Sequence, residues 1–334
     1  MLNNDRYAYA VGRVRAMESR LLDSGKIERM VEAKSAEEAL KILSESEYAG
    51  YLSESTSAFA YEKILEAELR RVYLELRKFV PNPEIINLFA SKFDYHNVKV
   101  LLKAKQLEEN RDDLLVQEIG NLSLSELVRA VGEGDFKNLP PRMREATESI
   151  TEQFRVDVNP QIVDLLLDRA MYADIFSTLQ ELKSPFMTGY FIRLVDLINI
   201  KTFLRVQRLG RSKEFLESAL LPAGDINIIK LVQLGEPMEI VIDRLSFGRY
   251  SKVVEEGILA YQKTDTMTRY EKLLDDFLIQ YIKLAKYSTF GPEPIVGYLL
   301  AKENELKTIR IVMVGKINQL PVEEIRERLR DVYV

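Results

Sequence analysis

The sequence predicts an all-α protein. Apolar residues in nearly every long segment recur at three- and four-residue steps, the period of one helix face. Runs that alternate as a half-buried strand would are missing. One helical block also recurs along the chain, with its lysines (Lys99, Lys201, Lys307) 102 and 106 residues apart.

The elements follow in order. Residues 5–22 open the chain with helical patterning. "EEALKILSESEY" (37–48) reads as a short helix. In "FAYEKILEAELRRVYLELRKF" (59–79), Tyr61, Leu65, Leu69, Val72 and Leu76 form one stripe, charges fill the other face, and Pro81 and Pro83 end the helix. The same pattern recurs in 160–182, 184–209, 265–287 and 293–316. "MEIVIDRLSFGRY" (238–250) answers 37–48, and "YEKLLDDFL" (270–278) answers "YEKILEAEL" (61–69).

The repeated block is "DYHNVKVLLK" at 94–103 and "DLINIKTFLR" at 196–205, with a weaker copy, "KENELKTIR", at 302–310. Asp94 and Asn97 thus answer Asp196 and Asn199, and Lys302 and Glu305 stand in the third pair of places. Pro83 and Pro185 each lie 14 residues before the Asn, and Pro292 lies 13 before Glu305. Proline is favoured in a helix's first turn because its missing N–H costs nothing there. Each motif is therefore expected about four turns into a helix. Downstream, "GNLSLSELV" (120–128) answers "GDINIIKLV" (224–232), each a Gly-Asx turn leading to a short helix. The chain reads as three similar helical units, 1–115, 116–215 and 216–334. The third lacks a full downstream segment, whereas the first carries short helices before its long pair, an arrangement suited to a body that closes on itself.

Composition removes several functions. With 334 residues, 46% of them hydrophobic, the chain can bury a large core. Against 52 acidic residues stand 47 basic ones, a net charge of −5, which argues against a generic nucleic-acid binder. No cysteine is present, which excludes disulfides, thiolate metal sites and a cysteine nucleophile and fits a reducing cytoplasm. The N-terminus lacks a signal-peptide pattern. No apolar run approaches the roughly 18 residues needed to span a bilayer.

The only histidine, His96, has Ile198 and Asn304 at its places in the other copies, so the motif does not require it. It lacks partners for nucleophilic catalysis or a two-histidine metal site. Gly315–Lys316 lacks the remainder of a phosphate-binding loop, and "GEGDFK" (132–137) follows no strand. No catalytic, cofactor or metal residues are assigned. The motif pairs are three residues apart and share a helix face. They either lock helices together as satisfied buried polar groups or present polar groups to a common axis or partner. Asn and Lys, two apart, point about 200° away from each other. The Asp–Asn side is therefore expected to pack between units, and Lys99, Lys201, Lys307 and Arg310 to be solvated or partner-facing.

The threefold motif, with "YAYAVGRVRAMESRLL" near the start and "ENELKTIRIVMVGKINQLP" near the end, resembles the C subunits of the V/A-type ATPases, relatives of the eukaryotic d subunits. The resemblance covers essentially the whole chain. It implies three helical units set pseudo-threefold in a funnel, without catalysis or cofactor. It further implies a central-stalk rotor component on the cytoplasmic face of the membrane. Such a component joins the D and F shaft subunits to the proteolipid rotor ring and transmits torque between ATP turnover and proton or sodium transport. It would be present once per complex, monomeric when isolated and not itself inserted in the membrane. Glu305 departs from the motif's Asn. A free-standing helical scaffold and an all-α enzyme are the alternatives.

Overall fold

The computed structural model describes residues 4–52, 57–157, 159–246 and 248–334. Those residues form α-helices and short 3-10 turns, with no strand among them, so the all-α expectation holds. Packing divides the chain into two compact units. One is Asn82–Gly235; the other joins both ends of the chain, Leu2–Pro81 with Glu236–Val334.

The N-terminal part of the two-ended unit supplies α1 (Ala8–Glu18), α2 (Ser24–Glu32), α3 (Ala36–Ile42) and α4 (Tyr61–Phe79). Helix α2 starts where the Asp23 carboxylate accepts from Lys26 N at 2.8 Å, and α3 where Ser35 accepts from Glu38 N. These caps satisfy donors that a helix's first turn leaves unpaired. The unit of Asn82–Gly235 holds α5 (Glu84–Leu107), α6 (Leu124–Glu133), α7 (Pro141–Phe154), α8 (Pro160–Leu182), α9 (Pro185–Arg208), α10 (Lys213–Ala219) and α11 (Ile228–Leu231). The chain then returns with α12 (Met238–Leu245), α13 (Ser251–Thr264), α14 (Thr268–Ile282), α15 (Glu293–Ile317) and α16 (Val322–Arg328).

Pro83 and Pro292 sit at the N-caps of α5 and α15, and Pro185 is the first residue of α9. Each motif accordingly lies deep inside a long helix. In the two-ended unit, α15 is the central element, apolar around most of its circumference and packed on by α1, α2, α3, α4 and α14. Leu22, Ile27, Met30 and Val31 from the N-terminal segment share one core with Leu306, Ile309, Val312 and Met313 of α15. In the other unit, α5 and α7 pack on α8, burying Tyr95, Val98 and Leu102 with Met143, Ile150, Val163 and Leu167.

Candidate functional site

The three motifs are buried. Asp94, Asn97, Asp196, Asn199, Lys302 and Glu305 all belong to the interior, although each carries a charge or an amide in mid-helix. Such burial requires partners. Most of those partners are backbone groups of another segment of the chain.

In α5, Asn97 meets both polar groups of Val116: its Nδ2 donates to Val116 O at 2.8 Å, and its Oδ1 accepts from Val116 N at 2.8 Å. Asp94 accepts from Asn121 N at 2.9 Å and Leu122 N at 3.0 Å. The loop can come so close only because residue 120 is glycine; a Cβ there would collide with Asp94 Oδ1. Helix α9 repeats the arrangement. Asn199 pairs with Leu221 O at 3.0 Å and Leu221 N at 2.8 Å, and Asp196 Oδ1 accepts from Ile226 N at 2.9 Å. A Cβ on Gly224 would stand 2.5 Å from Asp196 Oδ1. An asparagine suits this task because its amide offers both donor and acceptor, the complement of a peptide unit.

Helix α15 does the same work with different chemistry. Glu305 Oε2 accepts from Leu22 N at 2.5 Å, so the segment it holds lies 283 residues earlier. Its other oxygen accepts from Tyr48 Oη at 2.7 Å and from Lys302 Nζ at 2.7 Å. Lys302 also faces Glu68 at 3.3 Å and Glu47 at 3.6 Å, and its ammonium lies 5.2 Å from the centre of the Tyr48 ring. Arg71 pairs with Glu68, Glu75 and Glu47, Arg20 with Glu47, and Arg13 with Glu75. Four cations thus meet four carboxylates. Burial alone would push the Lys302 ammonium down; the carboxylates of Glu305, Glu68 and Glu47 outweigh it and hold the group above its ordinary value. Burial pushes the Tyr48 phenol up, with Glu305 adding to it, so Tyr48 stays a donor.

The four cations expected on the opposite side are engaged within the chain more than their spacing suggested. Lys99 pairs with Asp168 of α8 at 2.5 Å, and one turn on Lys103 pairs with Asp164 at 2.7 Å. Lys307 meets Asp275 of α14 at 2.5 Å, and Arg310 meets Glu62 of α4 at 2.7 Å. Lys201 is half-buried. Lys99 keeps only 18% of its side chain exposed, against 45% for Lys307 and 46% for Arg310. A solvated or partner-facing role fits the latter two better. His96 is exposed, its Nε2 2.9 Å from Leu114 O.

Among the described residues, no group of three or more His, Asp or Glu is placed to hold a metal ion, and no helix is long and apolar enough to cross a membrane. Fold and site together define a class: an all-helical protein whose repeated polar side chains are committed to fixing its own backbone. The family described as "ATP synthase (C/AC39) subunit" matches residues 10–328, and the chain belongs to it. Similar over almost its full length is the C subunit of the V-type sodium ATPase of Enterococcus hirae, 27% identical, covering 96% of this chain and 97% of that one. The C subunit of the A-type ATP synthase of Methanocaldococcus jannaschii is 28% identical, covering 97% of this chain and 86% of its own. Its counterpart of the same name from Pyrococcus furiosus is 25% identical, covering 98% and 90%.

Proposed function

We propose that this chain is the non-catalytic central-stalk component of a V/A-type ATPase. It receives the D and F shaft subunits, rests on the cytoplasmic face of the proteolipid rotor ring, and passes torque between ATP turnover and proton or sodium transport. One copy serves each complex, and the isolated chain is a monomer. The observation that carries this reading is the similarity to the C subunits of V- and A-type enzymes, which runs through nearly the whole chain.

The motif geometry supports it. A torque adapter must not yield between its helices, and each motif helix fixes another segment with buried hydrogen bonds. Taking the units as 1–115, 116–215 and 216–334, Asn97 holds the start of the second, Asn199 the start of the third, and Glu305 returns to the first. A funnel of three units around a pseudo-threefold axis is what the resemblance implies for the whole.

The test is affinity capture of the tagged chain from detergent-solubilised membranes of its own organism. Recovery of D, F and ring subunits in fixed ratio is expected. Recovery of none by a folded chain, or ATP turnover by the isolated chain, contradicts the proposal.

A further inference from the structure

After α16 the chain runs on as Leu329–Val334, with extended backbone at Leu329 (φ −63°, ψ 144°) and no regular secondary structure beyond it. Arg330 and Tyr333 are buried, whereas Asp331 and Val334 face solvent. The segment lies on three helices of the two-ended unit. On α14, Lys272 Nζ donates to Leu329 O at 2.6 Å, Asp275 accepts from Arg330 Nε at 2.7 Å, and Asp276 accepts from Asp331 N at 2.7 Å. Asn304 Nδ2 of α15 donates to Asp331 O at 2.9 Å. At α1, Tyr333 Oη donates to Glu18 at 3.2 Å, and the tyrosine ring centre lies 4.6 Å from Lys286 Nζ. Gly297 of α15 makes room for the phenol: a Cβ there would stand 3.0 Å from Tyr333 Oη.

A peptide ligand is held in this way; a framework element is not. Among the described residues, no backbone–backbone hydrogen bond joins Arg330–Val334 to any helix. The bonds that hold the segment to α14, α15 and α1 all involve a side chain. The groove's charges are moreover already paired with one another: Lys272 with Asp276 at 2.7 Å, Asp275 with Lys307 at 2.5 Å, and Glu18 with Arg15 at 2.7 Å. Departure of the segment therefore strands no buried ion, unlike loss of Lys302 from α15. Half-buried Asn304 and exposed Gln280, which bonds the Asp331 carboxylate, can turn to water. Packing at the segment is also incomplete. Val332 and Tyr333 help line a cavity of about 10 Å³, room for about one water, together with Leu22 and Glu305.

We infer that α14, α15 and α1 form a groove for a short non-helical peptide carrying Arg and Tyr three residues apart, and that Leu329–Val334 is its resident ligand, a releasable strap. Docked, the strap ties α1 to α14 and α15 through Tyr333 and Arg330. Released, it uncovers Asp275 for a guanidinium and Glu18 for a phenol. Neither property depends on the chain joining a complex.

Two measurements on the full chain test this. In the wild type, exchange of the Asp331 amide reports the docked strap, because that N–H is held by Asp276. It is expected to exchange through a local opening, at a rate insensitive to low denaturant, while the amide of buried Ile309 in α15 exchanges only on global unfolding. Equal opening free energies for the two amides overturn the inference. The double variant Arg330→Ala, Tyr333→Ala is expected to keep its helical content and cooperative melt, and to bind a labelled peptide of residues 329–334. Wild type, whose own strap competes at high effective concentration, should bind that peptide about a hundredfold less well. The peptide with both alanines should bind the variant about tenfold less well than the native sequence does. A folded variant that takes up no peptide overturns the inference, and so does a variant that loses its fold. A wild type that sediments as a dimer while the double variant is monomeric also overturns it, since the occupant is then a second copy's segment.

Discussion

Helices α9 and α15 solve one problem with opposite chemistries. In α9 a neutral amide and one carboxylate take up the polar groups of a loop only 22 to 30 residues on. In α15 the carboxylate of Glu305 holds a segment from the far end of the chain, and the charge it brings requires Lys302, which in turn faces Glu68 and Glu47. The α9 lock holds a nearby loop; the lock in α15 draws on a buried network of charges. A substitution that removes one hydrogen bond from the first should therefore remain local, while removal of one ion from the second should leave several groups uncompensated.

Lys302→Met breaks the comparison hardest. It leaves Glu305 and Glu68 buried without their shared cation, an expected loss of about 3–5 kcal/mol seen as a large fall in melting temperature. Because the folded-state value of Lys302 is raised, its stabilisation is fully present below its ordinary value of 10.5 and disappears as pH climbs above that through the raised value. The gap between wild type and variant should thus be constant across neutral pH and narrow only in strong alkali; narrowing near pH 7 would contradict the assignment.

Gly120→Ala comes next. Its new methyl must displace Asp94 or the loop, at a cost of about 1–3 kcal/mol. Denaturant unfolding should show this, and Gly132→Ala, where a Cβ meets nothing, is the control. Charge reversal at Lys99 sets like charge against Asp168. Because the pair is partly exposed, the expected effect is roughly 0–1 kcal/mol and shrinks with added salt. Unaltered complex assembly at low salt by Lys99→Glu with Lys201→Glu would assign both lysines to the protein's own framework. His96→Ala should do least, since it removes one exposed hydrogen bond to a carbonyl that water can satisfy; lost ATP-driven pumping in a well-folded variant would reveal a role that the repeat does not require.

These helices were legible in the sequence because their stripes and prolines are local signals. The expected spans 160–182 and 293–316 fall within a residue of α8 and α15. The motif was legible as a repeat, and the glycines at 120 and 224 as turns, but nothing in spacing joined each glycine to its aspartate. That contact is a fact of tertiary approach. The partner of Glu305 was out of reach for the same reason, with Leu22 at the other end of the chain. Spacing set the lysines on the side away from Asn97 and Asn199 but could not show their partners within the chain, since Lys99 and Lys103 meet Asp168 and Asp164 on α8, a contact of tertiary packing. The expected helix 265–287 ends differently from its pattern, its last five residues, Lys283–Tyr287, tightening to a three-residue period.

The central claim is that each motif helix fixes the backbone of a distinct segment, the third reaching the N-terminal one. Residue-resolved hydrogen exchange tests it most directly. In the wild type the amides of Val116, Leu221 and Leu22 should all be protected. Asn97→Leu should expose Val116 alone, Asn199→Leu should expose Leu221 alone, and Glu305→Leu should expose Leu22 along with the network around Lys302. Unchanged protection of each amide in its matching variant would contradict the account.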